Sequence, residues 1–324
     1  MSRVPVSLRP IAPALLLWAV GGTGCVSSPS LSRDSAPAEA AEMTDTASPE
    51  PLTHRFSMAV IADPHVTGPG EHADRLVAAV DWVEAHASDR DIKLTVILGD
   101  ICWGEGFGPA HAALERLSMP WVPVMGDNVI QAGEESLFHA TFEGQLQDLS
   151  GSLSSFSIAP TPVWNPEREV HSWLQNFSFE FGGIRFLAVD WNSRERGSIW
   201  GETPDLHNFT GGTWPWLTEQ LDALGTRPTD SVILLSHMPL FEGIGGLTAD
   251  EADHVVSTLA PYADVLWANL AGHLHWSTSS TWDRGGIEVH VTDATWDDRN
   301  TLRVIDVSAN DERFTFTHAL VEVD

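Results

Sequence analysis

Acidic and imidazole side chains recur in this chain in five short blocks, three of them led by glycine. They are Asp63-Pro64-His65, Gly99-Asp100, Gly126-Asp127-Asn128, His237 after Ser236, and Gly272-His273-Leu274-His275. Taken singly, each has an ordinary explanation. Asp63-x-His65 suits a turn with an Asx cap, Gly99-Asp100 a strand-to-helix corner, and His237 a hydrogen-bonded core histidine. The pair His273 and His275 is more specific, because alternate residues of a strand point to opposite faces unless the chain bends, and Gly272 permits a bend. Brought together, three Asp and four His would form a cluster whose desolvated carboxylates and imidazoles need partners, and bound cations supply them.

The surrounding sequence places these blocks where strands end. Phe56 to Ala62 is an apolar run ending at Asp63, and Leu76 to Ala85 has helical spacing. Ile92 to Leu98 ends at Gly99-Asp100 and is followed by a helical stretch, His111 to Leu117; Trp121 to Met125 ends at Gly126. Phe177 to Phe181 and Ile184 to Val189 read as a hairpin turned at Gly182-Gly183. A helix over Trp214 to Leu224 then precedes a strand, Ser231 to Leu235, that ends at Ser236-His237. A helix from Asp250 to Leu259 precedes a strand from Val265 to Leu270, and the tail to Val323 alternates as further strands. This order predicts an α/β fold, a mixed sheet covered by helices, with ligands at the carboxyl ends of the strands.

Composition narrows the partners. The 324 residues suffice for a large core, and 45 acidic against 17 basic side chains give a net charge of −28. Nucleic acid is excluded as the main partner, since phosphate-backbone binding starts from clustered Lys and Arg. An anionic substrate would need a local positive centre. Arg3 and Arg9, the apolar run Ile11 to Val20 and the small residues before Cys25 resemble a bacterial lipoprotein signal, although Gly22 stands where that signal prefers Leu. The apolar run is shorter than the about 20 residues a membrane span needs. The expectation is a signal peptide over residues 1–24, lipidation at Cys25, a disordered Ser/Ala/Pro/Glu-rich tether over 25–54, a folded domain over 55–324, and a place in the cell envelope with the membrane touched only through the lipid; ordinary signal-peptidase cleavage, giving a periplasmic or secreted protein, is the alternative. Removing the signal takes away two arginines and no acids, which moves the charge from −28 to −30.

The ordered blocks resemble the calcineurin-like metallophosphoesterase superfamily, whose order is D-x-H, G-D, G-N-H followed by an acid, a lone His, and G-H-x-H. Four of the five blocks are present in order, and the resemblance covers about Arg55 to Val323, with Trp216-Leu217 and Leu221 similar to the family's helix before the lone His. The resemblance implies a four-layer αββα sandwich and a hydrolase of phosphomonoesters or phosphodiesters. It implies two metal ions: Asp63, His65 and His275 on one, Asp100 bridging, and His237 and His273 on the second, completed at the third block. Oxygen and imidazole donors suit Mn, Fe or Zn. Such a pair binds phosphoryl oxygens and turns a bridging water into an in-line nucleophile.

The third block departs from the pattern. Two alignments fit: Asp127 replaces the ligand Asn and Asn128 the family's leaving-group His, or a one-residue slip keeps Asn128 as the ligand. The gap-free alignment is preferred because it preserves the distance from Gly126. Asp127 then adds a third carboxylate, which leaves a four-plus metal pair near +1 rather than +2. Asn128 cannot supply general-acid catalysis, typically worth about 10²–10⁴-fold, so esters with good leaving groups would suffer least. His72, His111, His139 and His207 are candidate substitutes with surface or capping roles as their ordinary explanation. Cys102 reads as a small buried hydrophobe, and Arg194 and Arg196 as solvated loop residues or phosphate clamps. Two further readings stay open: a metal-containing binding protein without hydrolysis, for an envelope phosphate or glycan, and a sugar-stacking surface built from the 14 Trp.

Overall fold

The computed structural model describes residues 50–195, 203–224, 231–242, 246–284, 286–296 and 299–323. The expected signal segment, Cys25, the tether up to residue 49 and Arg196 lie outside the described residues. The apolar run before Asp63 forms strand β1 (Thr53–Ile61) and leads to helix α1 (Glu71–His86), which turns Leu76, Val80 and Val83 inward. β1 starts earlier than the sequence pattern indicates and takes in two residues of the expected tether. Thr53 and His54 pair with Ala309 and Ser308, and a strand end exposed to water needs no apolar side chain to extend the ladder.

β2 (Ile92–Leu98), α2 (Phe107–Leu114), β3 (Trp121–Val124) and a short helix, α3 (Asp127–Gln131), follow. The stretch after α3 contains the longest helix, α4 (Glu135–Ser152), then β4 (Ser154–Ile158), the small hairpin β5 (Val163–Asn165) and β6 (Val170–Ser172), and the expected hairpin β7 (Phe177–Phe181) and β8 (Ile184–Ala188). α5 (Thr213–Asp222), β9 (Val232–Leu235), α6 (Ala249–Leu259), β10 (Leu266–Ala271), β11 (Thr278–Trp282), β12 (Ile287–Val291), β13 (Thr301–Ala309) and β14 (Phe314–Glu322) complete the order. No helix among the described residues is long and apolar enough to cross a membrane.

The strands form two principal sheets rather than the single mixed sheet that element order suggests. One has the order β14-β13-β1-β2-β3, the other β11-β12-β10-β9-β8-β7-β4. β1, β2 and β3 run parallel, as do β8, β9, β10 and β12, so each sheet gathers several carboxyl ends on one edge. Met58, Val60, Leu94, Val96, Phe179, Phe186, Leu235, Leu270 and Ile305 fill the layer between the sheets. α1 and α2 cover the outer face of the first sheet and α5 and α6 that of the second. The architecture is the four-layer αββα sandwich. Strands buried on both faces explain why β2 and β9 read as almost unbroken apolar runs.

Candidate metal centre

All seven candidate ligands stand just beyond strand ends: Asp63 and His65 after β1, Asp100 after β2, Asp127 after β3, His237 after β9, and His273 and His275 after β10. Five of the seven, Asp63, His65, Asp100, His273 and His275, have φ between 45° and 68°. L-residues seldom adopt this region, and strain of this kind concentrates at sites where the surrounding structure enforces it. All three preceding glycines answer a close approach, Gly99 to the His237 side chain. A Cβ on Gly126 would strike the backbone and carboxylate of Asp100, and one on Gly272 the carboxylate of Asp63. The glycines in these blocks therefore let ligands from different strands meet.

The side chains converge from both sheets. His65 Nε2 lies 3.3 Å from Asp100 Oδ2 and 3.9 Å from Asp63 Oδ1, and His275 Nε2 lies 3.6 Å from Asp63 Oδ1. On the other side, Asp127 Oδ1 is 2.8 Å from His237 Nε2 and 3.4 Å from His273 Nδ1. Asp100 Oδ2, 3.5 Å from His237 Nε2, stands between the two groups. The triads Asp63/His65/His275, Asp127/His237/His273 and Asp63/Asp100/His237 each bring their donor atoms within 4.8 Å of one another. Asp127, rather than Asn128, is thus the third-block side chain that reaches the histidines.

The donors fit cations. Burial opposes ionisation of Asp63 and Asp127, yet contacts with His275 and His65 for the first and with His237 and His273 for the second hold both carboxyls well below the usual range. Burial likewise opposes charging of His65 and His237. Asp100 and Asp63 outweigh it for His65, pushing it to about 9, and Asp100, Asp127 and Asp63 push His237 to about 10. The cluster therefore demands positive charge in its interior, which a divalent ion delivers without protonating the imidazoles. His65 Nε2 is buried with no hydrogen-bond partner among the described residues. His237 Nδ1–H donates to the Leu98 carbonyl at 3.0 Å, which leaves Nε2 as the lone-pair nitrogen facing the carboxylates. No thiolate contributes: Cys102 is buried, and burial with Glu134 nearby pushes its thiol up.

Asn128 has a defined task. Its backbone N–H donates to Asp100 Oδ1 at 2.9 Å and one N–H of its Nδ2 donates to Asp100 Oδ2, so the residue grips the carboxylate between the two groups at both oxygens. Of the candidate substitutes for the missing imidazole, only His72 adjoins the centre, with Nδ1 2.8 Å from the His65 carbonyl oxygen. His111 sits on α2 3.7 Å from Glu115, and His139 packs on Trp173. His207 is buried with Nε2 2.9 Å from the Asn192 carbonyl oxygen.

Arg194 is neither a solvated loop residue nor a clamp for phosphate. It is 7% exposed and forms a two-pronged pair with Asp190 at 3.1 and 2.5 Å. Asp190 also accepts from the Gln175 N–H at 2.9 Å and from Asn192 Nδ2 at 3.1 Å. Those two residues in turn hold the peptide before the third block: Gln175 Oε1 accepts the Met125 N–H at 2.7 Å, and Asn192 Nδ2 donates to the Met125 carbonyl at 3.1 Å. Gln175→Leu should therefore loosen Asp127. We expect a thermal destabilisation of about 1–3 kcal/mol from the orphaned amide and a cation affinity at the Asp127 triad about 10–100-fold weaker. Calorimetric metal titration checks this, and a titration unchanged from wild type would refute the link.

Sequence reasoning did not find this brace, nor the indoles around His65. Trp296 stacks on His65 at 5.3 Å and meets His275 edge-on at 5.4 Å, while Trp103 meets His65 edge-on at 5.1 Å. Trp103, three residues after Asp100, is the available signal.

Residues 56–277 match the family described as calcineurin-like phosphoesterase. Among solved structures, the chain is similar to a putative 5'-nucleotidase from Staphylococcus aureus, with 12% identity and a TM-score of 0.51. That likeness covers 83% of this chain and 54% of the nucleotidase. This chain thus spans about half the length of that protein. GAP50, the anchor in the inner membrane complex of Plasmodium, matches at 11% identity over 84% of this chain and 90% of its own, with a TM-score of 0.44. The phosphopantetheinyl hydrolase of Mycobacterium tuberculosis matches at 11% identity over 75% and 91%, with a TM-score of 0.42. At these identities the likeness shows the fold alone. No curated protein matches the sequence.

Proposed function

The chain belongs to the calcineurin-like phosphoesterase family, and from that premise we propose that it hydrolyses small phosphomonoesters or phosphodiesters at the cluster of Asp63, His65, Asp100, Asp127, His237, His273 and His275. The observation that carries the reading is the convergence of three carboxylates and four imidazoles from both sheets, five of these residues held at positive φ. Two cations held there, as Mn, Fe or Zn, would neutralise phosphoryl oxygens and lower the pKa of an attacking water. Asp63, His65 and His275 would hold the first, Asp127, His237 and His273 the second, with Asp100 between them.

The protein's own groups then set the character of the reaction. Asn128 orients Asp100 through two hydrogen bonds and has no proton to release to a leaving alkoxide. The departing oxygen must take its proton from water, which favours esters of acidic alcohols. With three carboxylates in the cluster the net field on an anion is smaller than an Asn ligand would leave, and the net charge of −28 provides no long-range attraction for a polyanion. Small esters fit this better than nucleic acids. The signal-like segment ending at Cys25 supports export to the cell envelope, with lipid as the contact to the membrane.

Metal analysis of the purified protein, with hydrolysis of aryl phosphate mono- and diesters measured in Mn, Zn, Fe and Mg, tests the proposal. We expect about two ions per chain and turnover that a chelator removes. Ions bound without turnover of any ester would instead favour a non-hydrolysing phosphate or glycan binder, the reading motivated by the altered third block.

A further inference from the structure

Leu274 and Trp276, the neighbours of His275 on either side, also line a cavity of about 470 Å³. It lies over the outward face of β11 and β12, where Thr278, Ser280 and Trp282 pair across to Val291, Val289 and Ile287, and the segment Leu240–Glu242 borders it. Its floor is apolar: Leu240, Val289 and Val291 are almost fully buried, and Trp282 is 7% exposed. Trp276, by contrast, is 56% exposed, a large indole next in the chain to the candidate ligand His275. A cavity of this size, mostly apolar with a few hydroxyls, falls in the range that holds small organic groups.

Its charges are arranged to refuse a second anion. Glu242 and Asp283 stand at the lining, and the positive group among the described lining residues, Arg284, is held by Glu242 at 2.5 Å and by Asp253. A carboxylate or phosphate on the alcohol side of an ester would meet acids and an already neutralised guanidinium. A planar or aliphatic group would cover Trp276 and displace water from the floor.

We propose that this cavity is the alcohol-side subsite of the phosphoesterase, taking an apolar ring or short aliphatic chain that carries no further negative charge. The assignment rests on the phosphoesterase reading, since it places the phosphoryl group at the neighbouring cluster. Chain continuity supplies the link: His275 stands between the two cavity residues Leu274 and Trp276, so a phosphoryl group at the cluster would have its alcohol within reach of the indole.

Phosphonates, which have no leaving group, separate the subsite from catalysis. The Mn-loaded full-length protein is titrated calorimetrically with methylphosphonate, 1-naphthylmethylphosphonate and phosphonoacetate. We expect the naphthyl compound to bind at least about tenfold tighter than methylphosphonate, the scale of one well-filled apolar pocket, and phosphonoacetate to gain nothing from its carboxylate. Trp276→Ala, and independently Ser280→Trp, which fills the cavity from an exposed edge position, should each collapse the naphthyl-to-methyl ratio toward one. Equal affinities for the two phosphonates, or a ratio that neither variant changes, overturns the subsite while leaving hydrolysis intact. A naphthyl-to-methyl ratio that both variants collapse, in a protein that turns over no ester, overturns the hydrolase reading and leaves the cavity as an apolar binding site for phosphonate ligands.

Discussion

Asp100→Asn should reduce phosphoester hydrolysis by more than about 10³-fold, above the 10²–10³ that loss of a single preorganised electrostatic group costs. The expectation follows from position. Asp100 Oδ2 is within 3.5 Å of both His65 Nε2 and His237 Nε2, and its carboxylate accepts two hydrogen bonds from Asn128. Removing its charge weakens both cation sites at once, and the Asn128 Nδ2 donor would face either a second amide nitrogen or a forced flip. The brace residues reach the cluster only through Met125, so no brace variant should match this loss. Two readouts separate catalysis from folding. Cations bound only to the native state raise its melting temperature, by an amount equivalent to about 2.7 kcal/mol at a hundredfold excess over Kd. The wild type should show this rise with Mn, and Asp100→Asn, each protein being measured against its own metal-free melting temperature, should lose most of it. Turnover within tenfold of wild type in a folded Asp100→Asn would place the reaction elsewhere.

How far the site was legible depends on what kind of interaction builds each part. The ligands could be read because each terminates an apolar strand, and the period of β2 or β9 is a local property. The sandwich was harder. Which strands share a sheet is decided by distant pairings such as β1 with β13, where Met58 stands opposite Ile305, and element order records none of this. α4 went unread although Phe138, Phe142, Leu146 and Leu149 recur at helical spacing. Its start lacks a side-chain cap at Glu134, and Gly144 and Gly151 interrupt the pattern, so tertiary packing overrides weak propensity. Arg194 shows the limit most plainly: a polar segment in sequence becomes a buried ion pair because Asp190, four residues earlier, turns inward with it.

Asn128→His should raise activity, and most for esters with poor leaving groups. With the Asp127 side chain on His237 and His273, residue 128 occupies the position at which the gap-free alignment sets the family's imidazole. The backbone N–H of residue 128 would keep its bond to Asp100 Oδ1, while the Nδ2 bond to Oδ2 is given up. That loss tempers the gain. Full general-acid catalysis is worth about 10²–10⁴-fold, and losing a charge-assisted hydrogen bond costs about 1.5–3 kcal/mol, so a net increase of about 10–100-fold is expected for an alkyl phosphate. Aryl esters, whose alcohols leave without a proton, should gain little. The sign with pH is fixed: the new imidazole acts as an acid only while protonated, so the added activity should fall as pH rises through its pKa, ordinarily about 6.5 and lower beside cations. A plot of log kcat/KM against leaving-group pKa should therefore flatten in the variant at low pH and regain the wild-type slope at high pH. An unchanged slope in a variant that retains both cations would mean that residue 128 does not face the leaving oxygen, and its role would reduce to orienting Asp100.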